Sequence, residues 1–450
     1  MSRRQLRVPR PDRRRVARHR VRATGPHWPL AVVLVLVTAA GLWWAGTSPH
    51  LAGTRTAATK PVAVSGRTFS CTGGVPGAVA DHGHLGTPVT STTITAPVKL
   101  SVSGGAVASA YAVQSARSAR WLAYGACPEP RSDWWFVGVG SSSTHHTVLT
   151  VANPRAGEAI FDVSLSGPKG PVNAPGLRGL AVRGGASRSL DLAKLAPAPG
   201  DLAVHLTTSR GLVSVAAAEQ RSAGVLVRAA SEWVPAEPGP GRHLLVTGLP
   251  GLTAKRATAT LLLANPAKRV VIASVSLVDT RGTFTPSGQK PLDLPPEAVV
   301  SVPLSRAFTA APGGVSVRAQ EAVVAAVRSV AGGDEGYAAT GRPLSGTSVA
   351  GVPAKVSARV VLSSLNRAAA VAVTGYDASG RSLGSHRVVV PARGSASLPV
   401  SARARSVAVA TSTGGPVVGS VVVQDAHGTA STPLASVPRE LLRPVVRPGW

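Results

Sequence analysis

The 450-residue sequence predicts a mostly β protein, and three observations carry that prediction. Val, Thr, Ser and Gly, which favour strands and turns, are abundant, whereas the strong helix formers Glu, Lys and Met are scarce. From about residue 62 onward, short runs of alternating residues follow one another, for example Val98–Val102 and Ser274–Val278. Turns rich in Gly, Pro or Asp separate these runs, which is typical of antiparallel sheets.

The runs recur along the chain. Leu149–Pro154 (LTVANP) matches Leu261–Pro266 (LLLANP) at an offset of 112 residues, and a shorter third copy occupies Val361–Asn366. Three of the four Asn residues of the chain fall at this position. Asn readily forms tight turns, and a following Pro ends strand pairing, so each copy predicts a corner at the end of a strand.

A second recurring run closes each copy. Gly211–Gln220 matches Gly415–Gln424 and Gly105–Gln114, and Glu321 occupies the equivalent starting position in another copy. The run at 105 places a partial fourth copy ahead of Cys127. A period near 100 residues predicts tandem domains, each large enough for its own core. We therefore expect immunoglobulin-like β-sandwich modules arranged as a string or rod.

The predicted organisation has eight parts. They are a basic tail (1–27), a transmembrane anchor (28–45), a stalk (46–60), a partial β module with a disulfide (61–130), three β-sandwich modules (131–238, 239–345 and 346–432) and a Pro- and Arg-rich tail (433–450). The last tail is expected to be loose.

The anchor prediction depends on Trp28–Ala45, which carries no charge. A helix of this length spans about 27 Å, close to the thickness of a bilayer core. Ten Arg and one Asp precede it, a net charge of +9, which predicts a cytoplasmic N-terminus and an extracellular bulk at the cell membrane. A cleavable signal peptide is the alternative, but the run ends in Trp43 and Trp44 without a good small-residue cleavage site.

Charge also limits the partners. The whole chain carries +28, so +19 lies beyond the basic tail. We expect the tail to contact anionic headgroups, because an apolar span follows it directly, and we do not expect nucleic-acid binding. Envelope proteins or anionic envelope polymers are the expected partners of the rest.

The only two cysteines, Cys71 and Cys127, both follow the predicted anchor. In an oxidising compartment such a pair most simply forms one structural disulfide. Aromatic residues lie on both sides of the second cysteine in the sequence: Trp121 precedes it, and Trp134, Trp135 and Phe136 follow it. Packing against the cystine is the favoured role of these rings, and an exposed binding surface that stacks sugar rings is the alternative.

Motifs for catalysis are missing from the sequence: it has no nucleophile elbow, no phosphate-binding loop and no zinc-protease helix. The local histidine pairs, His82 with His84 and His145 with His146, are predicted to be loop residues rather than metal ligands. No catalytic, cofactor-binding or metal residue is therefore predicted, and no cofactor.

Taken together, the basic N-terminus, the single anchor, the Cys127-Pro…Trp134-Trp135-Phe136 segment and the repeated Leu-x-x-Ala-Asn-Pro corners resemble an uncharacterised family of membrane-anchored, secreted actinobacterial proteins with a domain of unknown function. The third copy departs from the pattern, with Arg367 in place of Pro. The resemblance implies an envelope location and no known activity.

Three functions follow from these observations. The first is a non-enzymatic, membrane-anchored scaffold or adaptor of the cell envelope, since repeated β modules present faces and edges to partners. The second is a binder of anionic envelope glycans or polymers. The third, an enzyme whose site is assembled from scattered residues, is the least favoured.

Overall fold

The computed structural model describes residues 59–103, 110–224, 227–251, 257–304, 313–437 and 440–444. The predicted basic tail, the anchor at 28–45 and the stalk up to residue 58 lie outside these residues. None of the helical segments in these ranges has the length and apolar composition of a membrane span. Residues Lys60–Arg443 form one compact unit. The same ranges hold 34 strands and only two short helical turns, which confirms the mostly β prediction.

Repeat 1 comprises the strands up to Ala126. Strand β1 (Thr59–Ala63) precedes the repeat. The strands of the repeat are β2 (Gly66–Cys71), β3 (Val79–His84), β4 (Thr90–Thr93), β5 (Val98–Ser103), β6 (Ala110–Arg117) and β7 (Leu122–Ala126). Strand β2 pairs with β5, and the other sheet has the order β4-β3-β6-β7. Side chains of both sheets share one hydrophobic core, to which the next repeat also contributes Ala216, Ala218, Ala230 and Trp233.

Repeat 2 is the largest set. Its strands are β8 (Asp133–Ser141), β9 (His145–Ala152), β10 (Ala159–Gly167), β11 (Gly170–Val172), β12 (Leu180–Val182), β13 (Ser187–Asp191), β14 (Ala198–Arg210), β15 (Ser214–Gly224) and β16 (Val227–Val234). A 3-10 turn at Pro175–Leu177 and the short helix α1 (Leu192–Leu195) connect strands, and the Asp191 side chain caps α1 by accepting a hydrogen bond from Ala193 N–H. The strands are ordered β11-β10-β14-β8-β9-β15-β16.

Strand β10 shows why these residues form sheets. Its burial alternates along its whole length, with Phe161, Val163 and Leu165 buried and the residues between them half-exposed. Successive side chains of a strand point to opposite faces, so this alternation turns one apolar face toward the core. Burying each such side chain stabilises the fold by about 1.5–3 kcal/mol.

Repeat 3 follows the same plan. Its strands are β17 (Gly241–Thr247), β18 (Thr258–Ala264), β19 (Val271–Asp279), β20 (Gly282–Phe284), β21 (Leu292–Leu294), β22 (Val299–Pro303), β23 (Gly314–Ala331) and β24 (Asp334–Ala339). The first part of the long strand β23 pairs with β17 and β19, and its second part pairs with β18 and β24. In repeat 2, Gly211, with a φ of 75°, falls between β14 and β15 and breaks the corresponding path.

Repeat 4 ends the described chain. Its strands are β25 (Thr347–Gly351), β26 (Ser357–Ser364), β27 (Ala369–Tyr376), β28 (Ser382–Val390), β29 (Ser395–Val400), β30 (Ser406–Gly414), β31 (Val417–Gln424) and β32 (Thr429–Pro433). Two short strands follow, β33 (Ala435–Ser436), which pairs with β25, and β34 (Glu440–Pro444), which pairs with β1. The described part of the predicted loose tail is therefore paired in sheets.

The predicted Asn corners are present in two copies and shifted in the third. Asn153 and Asn265 are buried, and in each the side-chain amide donates to the carbonyl four residues on. Their backbone N–H groups donate to Ala186 and Ala298, and the equivalent bond to Gly394 comes from Ser364. Asn366 is exposed, so the prediction that it forms the corner is wrong: strand register puts Ser364 at that position.

The last strands of the repeats, here called the central strands, are β7, β16, β24 and β32. Strand β7 contacts β16, β16 contacts β24, β24 contacts β32, and β32 contacts β7, which closes a cycle. All six residues of β24 are buried, because one face meets its own repeat and the other meets the neighbouring central strands. The predicted rod is wrong, because the fourth repeat packs back onto the first. The division into separate domains stays a prediction.

Candidate functional site

The disulfide predicted from the cysteine count is present. Cys71, at the end of β2, is bonded to Cys127, directly after β7, with the Cα atoms 4.6 Å apart. Trp121 is buried in the same hydrophobic cluster as both cysteines, which is the packing role that the sequence favoured. The bond fixes the start of the segment that leads into the aromatic residues.

The remaining aromatic residues lie on β8. Trp134 and Phe136 are buried in the core of repeat 2, with parallel rings 6.2 Å apart. Trp135 points to the other face, is half-buried, and stacks on the ring of His205 at 3.8 Å. Trp121, Trp134 and Phe136 thus present no exposed platform.

A cavity of about 390 Å³ adjoins these rings and is called the junction cavity here. Three chain segments that follow or end central strands line it, namely Gly125–Arg131, Trp233–Ala236 and Thr432–Ala435. Trp134 and Phe136 also belong to its wall. The cavity therefore lies where repeats 1, 2 and 4 meet, and interfaces between structural units are common places for small-molecule sites.

The charged groups in the wall of the junction cavity are two arginines and one glutamate. Nε of Arg67 lies 2.5 Å from Oε1 of Glu129, so these two charges compensate one another. The Arg131 guanidinium lies over the ring of Trp134, 3.8 Å from its centroid, and its Nη2 donates to the backbone carbonyl of Glu237. No carboxylate of the described residues forms an ion pair with Arg131. Burial, together with the positive charge of Arg342, lowers the pKa of Arg131 to about 10.

Three residues of the wall carry a buried polar atom with no hydrogen-bond partner. They are Gln114, Arg131 and Trp233, and the atoms are Oε1, Nε and Nε1 respectively. Gln114 is 1% exposed and Trp233 is 4% exposed. Buried polar groups are usually paired, and each one left unpaired costs roughly 1–3 kcal/mol. One acceptor and two donors are thus unmatched around one cavity.

A second group of polar residues, called the inter-repeat charge cluster, joins repeats 2 and 3. Its members are His145, Asp201, Glu219, Arg221, Arg328, Glu335 and Tyr337. Nε of Arg221 lies 2.5 Å from Oε2 of Glu335, and the Tyr337 hydroxyl donates to Oε2 of Glu219 at 2.6 Å. The cluster binds one repeat to the next through charged pairs.

The pKa values of the two buried glutamates are shifted in opposite directions. Burial and the charge of Glu219 raise the pKa of Glu335 to about 8. Burial also opposes ionisation of Glu219, but its hydrogen bond with His145 and the charges of His145 and Arg221 hold the pKa of Glu219 below its ordinary value. Two acids with separated pKa values can mark an acid–base pair, yet none of the cluster residues belongs to the wall of the junction cavity. Its observed contacts hold two repeats together.

The histidines occupy strands rather than the predicted loops. His82 and His84 lie on β3, and His145 and His146 begin β9. His146 is paired with Asp191 at 2.7 Å. Among the residues that the structure describes, no group of three or more His, Cys, Asp or Glu side chains is arranged to hold a metal ion.

Sequence reasoning found the Cys127–Phe136 segment but not the polar residues of either site. The sequence pattern marked Gln114 only as the end of a recurring run, and it did not single out Glu219. One signal was available: Glu219 shares a strand face with Ala217, so strict alternation on β15 points this acid toward a buried face.

These features define a β-rich protein of several sheets, built from repeated strand sets, tied by one disulfide and enclosing a cavity between repeats. The chain belongs to DUF5719, a family of unknown function, whose model matches residues 87–401. The matched range begins in repeat 1 and ends beside β29 of repeat 4. No curated protein matches the sequence.

Proposed function

We propose that this protein is a non-enzymatic scaffold or adaptor of the cell envelope. In this proposal residues 28–45 hold it in the cell membrane, the basic tail is cytoplasmic and the repeats are extracellular, as in a membrane-anchored actinobacterial protein. The repeats have an immunoglobulin-like layout. The observation that carries the proposal is the use of buried charged and polar groups to join repeats, which builds a fixed body for presenting surfaces.

Polar contacts of this kind occur at every junction of the cycle. Repeats 1 and 2 meet through Glu232, which accepts from the Tyr124 N–H at 3.0 Å. Repeats 3 and 4 meet through Asp334, which accepts from the Thr429 N–H at 2.7 Å. Repeats 4 and 1 meet where Arg405 lies 2.5 Å from Asp81. The inter-repeat charge cluster joins repeats 2 and 3. Such contacts fix the orientation of each repeat relative to the next.

An edge strand supplies a surface suited to a protein partner. Strand β28 lies at the end of its sheet and pairs with β27, and most of its residues are exposed, including Ser385. An extended segment of a partner can add to such an edge through main-chain hydrogen bonds. We assign partner docking to this edge.

A photo-crosslinking residue at position 385 of the full chain, expressed in cells, tests the assignment. The proposal expects a discrete adduct with an envelope protein, and no such adduct from the matched control at exposed Arg178 in repeat 2. Digestion of intact cells with an added protease should also remove the repeats. Equal labelling at both positions, or repeats that resist the protease, would contradict the proposal.

A second candidate function is binding of anionic envelope polymers. It is favoured by the net charge of +19 that the sequence carries beyond residue 27. Basic surfaces attract anionic chains in a salt-dependent manner. Retention of the protein on cell-wall polysaccharide should fall steeply with added salt and fall further in Trp135→Ala, which removes the half-exposed ring. Retention unaffected by salt removes this candidate.

A further inference from the structure

We propose that the junction cavity is a binding site for one acidic sugar residue, with its carboxylate on Arg131 and its hydroxyls on Gln114 and Trp233. This site goes beyond the proposed scaffold and does not depend on membrane anchoring or on the β28 edge.

The charge of the wall selects an anionic group. Of the three charged wall residues, Arg67 and Glu129 are paired with each other, which leaves Arg131 as the wall cation that has no ion-pair partner among the described residues. A partly buried charge without an ion-pair partner is costly, and a carboxylate on the guanidinium of Arg131 would supply that partner. The net charge of the wall is +1, so one acid group neutralises it.

The unmatched polar atoms select a hydroxylated ligand. Oε1 of Gln114 lacks a donor and Nε1 of Trp233 lacks an acceptor. A sugar hydroxyl is both a donor and an acceptor and can serve either atom. A purely apolar acid would leave both atoms unpaired, so apolar acids fit the site less well.

The remaining wall suits a sugar ring. Phe69, Tyr111, Trp134, Phe136 and Trp233 contribute aromatic surface around the polar atoms. The volume of about 390 Å³ falls at the lower end of small-molecule sites, which span roughly 300–1,000 Å³. Pro128, Glu129 and Pro130 also line the cavity and are half-exposed, so solvent reaches it along this segment.

Calorimetric titration of the full chain in detergent with glucuronate tests the site, with glucose as the neutral probe. We expect saturable binding of glucuronate that is about tenfold or more tighter than that of glucose, since a charge-assisted hydrogen bond contributes about that factor. In Arg131→Gln this preference should fall to about twofold, whereas Arg120→Gln, an exposed arginine outside the wall, should keep it. A loss of preference, unlike a loss of affinity, does not follow from general destabilisation.

The second variant is Gln114→Leu, which removes the unmatched oxygen and keeps the size of the side chain. This variant should bind both glucuronate and glucose about fivefold or more weakly than the wild type. Gln220→Leu, at the equivalent position of repeat 2 and outside the wall, should change neither. Absence of saturable glucuronate binding, or a crystal structure soaked in glucuronate that holds only ordered water in the cavity, would overturn the proposal. Binding that survives both wall variants would do so as well.

Discussion

Nε of Arg117 lies 2.8 Å from Oδ2 of Asp425, although 308 positions separate the two residues in the chain. Arg117 ends β6 of repeat 1, and Asp425 directly follows β31 of repeat 4. Together with the pairing of Asp81 and Arg405, this contact joins the last repeat to the first. The cycle of central strands therefore has charged contacts at its closing junction.

The first prediction concerns that closing contact. We expect Arg117→Met and Asp425→Asn each to lower the free energy of unfolding. The loss in the double variant should be about 1 kcal/mol smaller than the sum of the two single losses, which is typical of a partly buried pair. Urea unfolding of the four proteins measures this coupling energy. A coupling energy of zero would mean that the pair does not join the repeats in solution.

The second prediction concerns pH and Glu237, which is buried in the segment that connects repeats 2 and 3. Its carboxylate accepts from the backbone N–H of Thr340 at 2.9 Å, yet burial raises the pKa of Glu237 to about 8. The folded protein then keeps a proton that the unfolded chain releases above a pH of about 4.5. The stability that the protonated Glu237 contributes is fully present below pH 4.5. It is lost as pH rises toward 8, by at most about 1.4 kcal/mol of unfolding free energy per pH unit.

The test of this prediction is the free energy of unfolding at pH 5 and pH 8. Glu237→Gln cannot ionise, so the loss of stability between the two pH values should be smaller than in the wild type. Glu129→Gln, a matched change at a more exposed acid, should leave that loss unchanged. A wild-type pH dependence that persists in full in Glu237→Gln would refute the assignment.

The third prediction concerns the strand-end corner of repeat 3. The Asn265 side chain donates to the carbonyls of Arg269 and Leu294 and accepts from the Ala267 N–H. Asn265→Ala leaves these groups unpaired, including the buried carbonyl of Leu294, and should cost about 2–4 kcal/mol. Asn366→Ala, at the exposed position that the sequence pattern also singled out, should cost less than about 0.5 kcal/mol. Equal effects in thermal unfolding would contradict the burial difference between the two sites.

The fourth prediction concerns the disulfide. Cys71 and Cys127 are 56 positions apart, and closing a loop of that size stabilises a fold by roughly 4 kcal/mol in the chain-entropy estimate. Replacing both cysteines by Ala should raise amide exchange first in β2 and β7, since the bond joins their ends. Because Cys127 lines the junction cavity, glucuronate binding should also weaken. Uniform exchange across all repeats would argue that the bond has no local role.

The sequence predicted those features that depend on local pattern. Alternation gave the strands, the Leu-x-x-Ala-Asn-Pro runs gave two of the corners, and the cysteine count gave the disulfide. The prediction of the third corner was wrong because the strand register decides which residue ends the strand. That register is seen in the hydrogen bond from the Ser364 N–H to the Gly394 carbonyl. Arg367 in place of Pro marks the third copy as different, but this local difference does not show which residue ends the strand.

The closure of the repeats was not predictable from local pattern. Contacts such as that of Arg117 with Asp425 join residues on different repeats, and a period near 100 residues is compatible with a rod or a closed cycle. The candidate site has the same property, since Gln114, Arg131 and Trp233 come from different parts of the chain. The sequence indicated the aromatic segment, but only the folded arrangement shows which polar atoms around it lack partners.

Closure of the cycle is tested most directly by an electron-spin distance measurement on the full chain. Nitroxide labels on cysteines introduced at the exposed positions Ala119 and Ala426 flank the contact between repeats 1 and 4, while the native cysteines remain bonded to each other and unlabelled. The closed cycle predicts a short, narrow distribution of distances between the two labels. A long or broad distribution, as four modules in a rod would give, would contradict it.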